Sequence, residues 1–320
     1  MRRQRGADRA PWRRVGQHGL ALPAFDAEQQ RVRTKLSMER ILSTYLFVRR
    51  KLSSPIVEAT AQAGFAAMEV FCARGHFDYQ STSEVRALGT SLDAHGLALH
   101  SLHAPTEREQ GPTRESGSPL SISDPERVRR LEAVDETKRA LDVAEYVPYR
   151  FLVLHVGSSR EPDEPRRWDA AFNSLEHLAL FAKQRGVTIA LENTPGDLAT
   201  PANLCRFLNE TRLTDVRFCF DAGHAHMEGG IAVALESMRE RVVTAHIHDN
   251  HGDKDEHLAP FEGTIDWPAA LAALPQDTPL VLELRTPEQI LGSELPEPAA
   301  VLEAPRHALD RLAHAQHARA

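Results

Sequence analysis

The sequence predicts a single-domain α/β fold, a closed (β/α)8 TIM barrel, and three observations carry this prediction. From residue 38 onward, short apolar runs alternate with amphipathic stretches. The alternation repeats eight times, which favours a closed barrel over an open sheet. No GxGxxG loop follows the first apolar run, as it would in a dinucleotide-binding open sheet. An open doubly wound sheet is the alternative.

The predicted strands are the short runs rich in aliphatic residues. The run 187–192 is apolar almost throughout, as expected for a parallel strand that is covered on both faces. In chain order, the predicted strands are 40–47, 67–71, 97–102, 151–155, 187–192, 216–221, 242–247 and 280–284.

The predicted helices lie between these strands and are bounded by Gly, Pro and capping residues. Gly64 and Gly96 end the first two helices, and Asp124 with Pro125 is predicted to begin the third as N-cap and first residue. In chain order, the predicted helices are 55–63, 83–95, 124–146, 168–184, 200–209, 231–239, 267–274 and 299–314, with a long loop at 107–123.

Composition indicates an ordinary globular protein. The 320 residues are 42% hydrophobic and 26% charged, which suits a sizeable core. No apolar run is long enough to cross a membrane, and no signal-peptide pattern is found. Cys72, Cys205 and Cys219 are widely spaced and form no CxxC pattern. A reduced, cytoplasmic setting is therefore predicted.

Charge divides the chain at about residue 37. Residues 1–37 hold nine Lys and Arg against three acids, a net charge of +6, and the total of −7 leaves −13 for residues 38–320. A leader of this kind fits a nucleic-acid arm, a targeting segment or an upstream extension, and we expect a disordered leader without function. The acidic body makes nucleic acid an unexpected partner, although a local basic groove stays an alternative.

One stretch, residues 242–267, is dominated by metal-ligand chemistry. Within twelve positions it holds His246, His248, Asp249, Asn250, His251, Asp253, Asp255 and His257. Imidazole and carboxylate together are the ligands that divalent transition metals take. The alternative is a solvated polar loop with incidental histidines.

The same residue types recur at the ends of the other predicted strands, where a (β/α)8 barrel carries its active site. An inward carboxylate there is costly unless it is paired or bound to a cation. The residues are His103, His155, Glu192, Asp221 with His224, His246 and Glu283.

Seven pieces of sequence resemble the xylose isomerase-like TIM barrel superfamily, in the branch commonly called sugar phosphate isomerase/epimerase. They are LHAP at 102–105, LHVGSS at 154–159, LEN at 191–193, FDAGHA at 220–225, HIHDN at 246–250, DEHLAPFEGTIDW at 255–267 and LELR at 282–285. The resemblance implies one divalent metal (Mn, Co, Mg or Zn) held by Glu192, Asp221, His246 and Glu283. It also implies that Glu192 and Glu283 transfer protons through an enediolate, and that His224 binds substrate.

The endonuclease IV type of abasic-site nuclease belongs to the same superfamily and implies a second interpretation. Its three-zinc cluster has further ligands that match His103, His155, His224, Asp255 and His257. Those five residues are therefore expected to bind substrate or additional metal. The acidic body, the missing N-terminal glycine-rich motif of the nucleases and the piece 246–267 favour a sugar isomerase or epimerase. A zinc-dependent abasic-site endonuclease and a non-catalytic sugar-binding barrel are the alternatives.

A few residues near these pieces are open to two interpretations. Tyr45 stands where close relatives would have histidine, which leaves the substrate contacts of the first strand undefined. Phe71 and Trp267 either form a wall of a sugar site or pack in the core. His248 and His251 either orient the ligands by hydrogen bonds or are exposed. The expected partner is a small sugar-like molecule, and the sequence leaves the oligomeric state open.

Overall fold

The structure is a computed structural model that describes residues 39–108, 118–287 and 296–317. The predicted leader, residues 1–37, lies outside the described residues, as does most of the predicted loop 107–123. Among the described helices, none is both long and apolar enough to cross a membrane.

The described residues form a closed barrel of eight parallel strands, so the predicted fold is confirmed. Each strand pairs with the next along the chain, and β1 pairs with β8 to close the sheet. The strands are β1 Arg40–Ser43, β2 Ala67–Phe71, β3 Ala98–His103, β4 Phe151–Leu154, β5 Thr188–Glu192, β6 Arg217–Asp221, β7 Val242–Ile247 and β8 Leu280–Leu282.

Helices surround the barrel and bury their apolar faces against the sheet. They are α1 Ser54–Gln62, α2 Thr82–His95, α3 Arg127–Asp142, α4 Pro165–Lys183, α5 Pro201–Thr211, α6 Ala222–Met227, α7 Ile231–Met238, α8 Trp267–Ala273, α9 Pro298–Val301 and α10 Glu303–His317. Alternation along β4 shows the two layers of the core. Phe151 and Val153 pack inside the barrel with Ala190 and Cys219, while Leu152 and Leu154 pack against the helices.

The predicted N-cap of α3 was wrong. The helix begins at Arg127, after an N-cap Glu126 whose side chain makes no capping bond. Asp124 instead accepts a hydrogen bond of 2.8 Å from the main-chain N–H of Glu126. A short aspartate side chain favours such a local turn, and the helix begins two residues later than predicted.

Three strands end earlier than predicted, β1, β4 and β8, and all three ends lie on the functional face. β4 stops at Leu154, directly before His155. β1 stops at Ser43, because the Ser43 hydroxyl accepts the N–H of Tyr45 and opens a 3-10 turn over Thr44–Phe47. β8 stops at Leu282, directly before Glu283. The short helix α6 was not predicted; Asp221 caps it by accepting the N–H of His224 at 2.6 Å.

Candidate active site

A cavity of about 660 Å³ opens at the C-terminal ends of the strands. Its floor includes Glu192, His224 and Glu283, and its wall includes Tyr45 and Arg285. The carboxyl end of a parallel barrel is where catalytic residues from different strands converge. The cavity is large enough for a small organic molecule.

Four residues from adjoining strands form a central cluster: Glu192, Asp221, His246 and Glu283. All are at most 3% exposed, and one ligand atom from each lies within 4.8 Å of the others. His246 Nδ1 lies 3.2 Å from Glu283 Oε2 and 3.4 Å from Glu192 Oε1. Asp221 Oδ2 is 3.8 Å from the same nitrogen. The four predicted metal ligands therefore meet at one point.

The donor atoms of the central cluster suit a divalent cation. Among the described residues, Asp221 Oδ2 and His246 Nδ1 are buried without a hydrogen-bond partner. Three carboxylates in such a small space repel one another unless a cation is shared between them. Imidazole with carboxylates is a ligand set that Mn²⁺, Co²⁺, Mg²⁺ or Zn²⁺ could use. The residues present thus fit a metal.

A second cluster joins His103 and His155 to the other side of Glu192. Glu192 Oε2 lies 3.3 Å from His103 Nε2 and 3.2 Å from His155 Nε2. The His103 Nδ1–H donates to the carbonyl of Ala104 at 2.9 Å, since a carbonyl can only accept. His103 therefore directs its Nε2 toward Glu192, in the orientation that a ligand needs.

A third cluster holds His224, His248, Asp255 and His257, whose ligand atoms also lie within 4.8 Å of one another. His257 Nε2 lies 3.1 Å and His224 Nε2 3.5 Å from the Asp255 carboxylate. The Nδ1–H of His257 donates to the carbonyl of Glu283 at 2.8 Å, which fixes that ring. Asp255 Oδ1 is buried without a hydrogen-bond partner among the described residues.

The structure brings all nine residues singled out in the sequence into these three adjoining clusters. It adds His248, which is fully buried and has its Nε2 3.0 Å from Asp221 Oδ1. Gly223 makes room for this ring, because a Cβ at position 223 would lie 2.0 Å from His248 Cε1. His251 differs, since its side chain is 54% exposed and pairs with Glu256 at 2.7 Å.

Glu69 on β2 is the buried acid that sequence reasoning missed. It is 0% exposed, lies 3.1 Å from His246 Nε2, and accepts the hydroxyl hydrogen of Ser101 at 2.7 Å. Its carboxylate holds the His246 Nε2–H, so Nδ1 keeps its lone pair directed at the central cluster. The available signal was an acid in the middle of the apolar run 67–71.

Electrostatics keep the central carboxylates ionised. Burial alone raises the pKa of Glu192, but the neighbouring histidines, His246 before His155, lower it well below its usual value. Burial opposes ionisation of Glu283 as well, and His246 again lowers its pKa. For His246 itself, burial lowers the pKa, while acids that include Glu69 and Glu283 raise it well above 6.5. We therefore expect His246 to release a proton when a metal cation binds to the cluster.

The loop that carries Asp255 and His257 is held by Asp249. Its carboxylate accepts the main-chain N–H of Phe261 at 2.9 Å and that of Ile265 at 3.2 Å. It also accepts the indole N–H of Trp267 at 2.8 Å. Trp267 is fully buried and forms no wall of the cavity, whereas Phe71 does line it.

The chain matches one family description across most of its length. A family model described as a xylose isomerase-like TIM barrel covers residues 57–311. The chain is 29% identical over 220 residues to the uncharacterized protein y4fM of Sinorhizobium fredii, covering 62% of this chain and 70% of y4fM. It is 28% identical over 254 residues to the uncharacterized protein MJ1311 of Methanocaldococcus jannaschii, covering 75% of this chain and 80% of MJ1311.

Solved structures share the fold at lower sequence identity. A D-tagatose 3-epimerase-like protein aligns with a TM-score of 0.69 and 23% identity, covering 88% of this chain and 100% of its own. The 3-keto-D-glucoside 4-epimerase YcjR from E. coli aligns with a TM-score of 0.65 and 21% identity, covering 86% of this chain and 99% of YcjR. The IOLI protein, solved with a bound zinc atom, aligns with a TM-score of 0.68 and 17% identity, covering 86% of this chain and 98% of the IOLI protein.

Proposed function

The chain belongs to the xylose isomerase-like TIM barrel family, and on this basis we propose that it is a divalent-metal-dependent isomerase or epimerase of sugars. One observation carries the proposal. Glu192 and Glu283 both approach His246 Nδ1, at 3.4 and 3.2 Å, in the buried floor of a cavity that is open to small molecules. Two ionised carboxylates beside a cation site can move a proton next to a carbonyl.

The four residues Glu192, Asp221, His246 and Glu283 would hold the metal. A bound divalent cation supplies a Lewis acid that polarises a carbonyl oxygen and the neighbouring hydroxyl. Glu192 and Glu283 pass one proton as general base and general acid at the carbon next to the carbonyl. His224 lines the cavity and offers its ring to the substrate hydroxyls.

The structural neighbours support a sugar-like substrate and a metal. The names of two neighbours describe epimerases of D-tagatose type and of 3-keto-D-glucosides, and another was solved with D-allulose. The zinc atom of the IOLI protein supports a divalent cation in this fold. The free cysteines Cys72, Cys205 and Cys219 support a reducing, cytoplasmic setting.

The reaction is tested by proton exchange. The manganese-loaded protein is incubated with a panel of ketoses in deuterated water, and mass spectrometry follows the hydrogen next to the carbonyl. We expect exchange by the wild type, and its loss in Glu192→Gln and in Glu283→Gln. Asn173→Gln, on the exposed face of α4, is a matched amide control that retains exchange. Absence of exchange for every ketose would refute the proposal.

A second function is favoured by a specific observation. The nine ligand-type residues form three adjoining clusters with Glu192 shared between two of them, which suits a multinuclear zinc site for phosphodiester hydrolysis. Incision of an abasic-site duplex by the zinc-loaded wild type, lost in Asp255→Ala, would establish this function in place of the first. Sugar binding without exchange or incision would instead indicate a non-catalytic barrel.

A further inference from the structure

Tyr45 and Arg285 form a fixed pair on the wall of the cavity. They are 240 residues apart in sequence, but the closure of β8 against β1 brings them together. Arg285 Nε and Nη2 donate to the phenol oxygen of Tyr45 at 3.0 and 2.5 Å. The guanidinium also lies over the Tyr45 ring, 5.2 Å from its centroid. This pair occupies the position where the sequence left the substrate contacts of strand one undefined.

The acceptors that hold Arg285 are neutral. Besides the phenol oxygen, the guanidinium donates from Nη1 to the main-chain carbonyl of Asp255 at 3.2 Å. Among the described residues, no carboxylate forms an ion pair with Arg285. A phenol is neutral at neutral pH, so Tyr45 does not cancel the charge of Arg285. Asp255 and Glu283 attract the guanidinium from a distance, without a direct ion pair, so a ligand that carries a negative charge can still pair with it.

Two donors of Arg285 remain for that ligand. A guanidinium has five N–H groups, of which two donate to Tyr45 and one to Asp255. The remaining two lie one on each terminal nitrogen. Paired N–H groups of a planar guanidinium match two oxygens of a carboxylate or a phosphate. The three existing hydrogen bonds hold the group in place before the ligand arrives, which lowers the entropy lost on binding.

We propose that Tyr45 and Arg285 form a binding site for an anionic group of the substrate, a carboxylate or a phosphate. The proposal rests on the proposed function and narrows its substrate class to sugars that carry a negative charge. Glu283 and Asp255, which belong to the ligand clusters, share the cavity with the pair. One molecule bound in this cavity can therefore place its carbonyl at the central cluster and its anionic group at Arg285.

Binding measured without turnover tests the site. The manganese-loaded full chain is titrated calorimetrically, at one ionic strength, with D-fructose, D-fructose 6-phosphate and D-fructuronate. We expect at least one charged probe to bind the wild type about tenfold or more tightly than D-fructose, as for hydrogen bonds to charged groups. The comparison of the two charged probes distinguishes phosphate from carboxylate.

Three variants test whether Arg285 causes the preference for the charged probe. Arg285→Gln should abolish the preference for the charged probe over D-fructose, about tenfold or more in the wild type. Arg166→Gln removes the same charge from an exposed position on α4 and should retain the preference. Tyr45→Phe keeps the ring but loses the oxygen that holds the guanidinium, so it should reduce the preference in part. Manganese affinity and melting temperature show that each variant is folded.

Equal or weaker binding of both charged probes by the wild type overturns the proposal, and so does a preference that survives in Arg285→Gln. The proton-exchange assay separates this result from the reaction itself. Proton exchange on an uncharged ketose, without a preference for charged probes, would refute the anionic site and support the isomerase. A preference for charged probes, without proton exchange on any charged or neutral ketose, would support the anionic site and refute the isomerase.

Discussion

Replacing Glu69 by glutamine removes one buried charge behind the central cluster and nearly preserves the side-chain shape. The Gln oxygen can accept the His246 Nε2–H, and its amide can donate to Ser101, whose hydroxyl can accept instead of donating. His246 therefore keeps the tautomer that directs Nδ1 at the cluster. What is lost is the negative charge that makes a metal-bound imidazole a stronger ligand.

The size of the effect follows from the burial of the pair. Partners that orient a metal-bound histidine typically change metal affinity by about 10–100-fold when they are replaced. Glu69 is 0% exposed and 3.1 Å from His246, so little solvent screens the interaction. We expect about tenfold weaker metal binding in Glu69→Gln, or about 1.4 kcal/mol, and about a hundredfold in Glu69→Leu, which also loses the acceptor.

Metal affinity and the stability of the metal-free protein should both fall in Glu69→Gln. Burial and the nearby Glu283 oppose ionisation of Glu69, but His246 outweighs them and lowers the pKa of this carboxyl below its usual value, so the metal-free variant loses a net favourable charge. The assay combines zinc titration against a competing chelator, the visible absorption of the cobalt-loaded protein, and thermal unfolding with and without metal. A shifted cobalt spectrum would report the altered imidazole directly.

Ser101→Ala is the matched control for this prediction. It removes one hydrogen bond to Glu69 and leaves the carboxylate and His246 in contact. Its metal affinity should fall by less than that of Glu69→Gln. Unchanged zinc affinity and an unchanged cobalt spectrum in Glu69→Gln would refute the contribution of the Glu69 charge to metal binding by His246.

Three further predictions concern the scaffold. Asp249→Ala should lower the free energy of unfolding by about 3 kcal/mol or more, as urea unfolding would show, because four donors, three of them buried, lose their acceptor. Burial lowers the pKa of His76 and of His100 to about 4, so the unfolded chain takes up these protons first. Stability should therefore fall by up to about 3 kcal/mol per histidine as the pH drops from about 6.5 to about 4, and urea unfolding that is flat across this range would contradict it. We also propose that residues 1–37 are dispensable, so that a chain beginning at Met38 keeps its melting temperature and metal content; loss of either would contradict it.

The fold could be predicted from sequence because parallel strands buried on both faces must be apolar. The runs 67–71 and 242–247 match β2 and β7 at both ends. The ends of β1 and of α3 could not be predicted, because single hydrogen bonds decide them, at the hydroxyl of Ser43 and the carboxylate of Asp124. Such local competition leaves no trace in hydrophobic periodicity.

Much of the candidate site follows from the same logic, since a barrel gathers the carboxyl ends of its strands. Residues that end a strand or lie directly after one, such as Glu192 and Glu283, could therefore be grouped before any coordinates. Glu69 could not, because an acid in mid-strand does not reveal which face it points to. The Tyr45–Arg285 pair depends on barrel closure and on the 3-10 turn that ends β1, which sequence reasoning did not predict.

Metal content is the most direct test of the central cluster. The wild type, purified without chelator, is analysed by elemental mass spectrometry beside Asp221→Asn and the exposed control Asp215→Asn. We predict at least one equivalent of manganese, cobalt, magnesium or zinc per chain in the wild type and in Asp215→Asn, and its loss from Asp221→Asn. A wild-type protein that is metal-free and takes up neither manganese nor zinc would contradict the metal-dependent function proposed for Glu192, Asp221, His246 and Glu283.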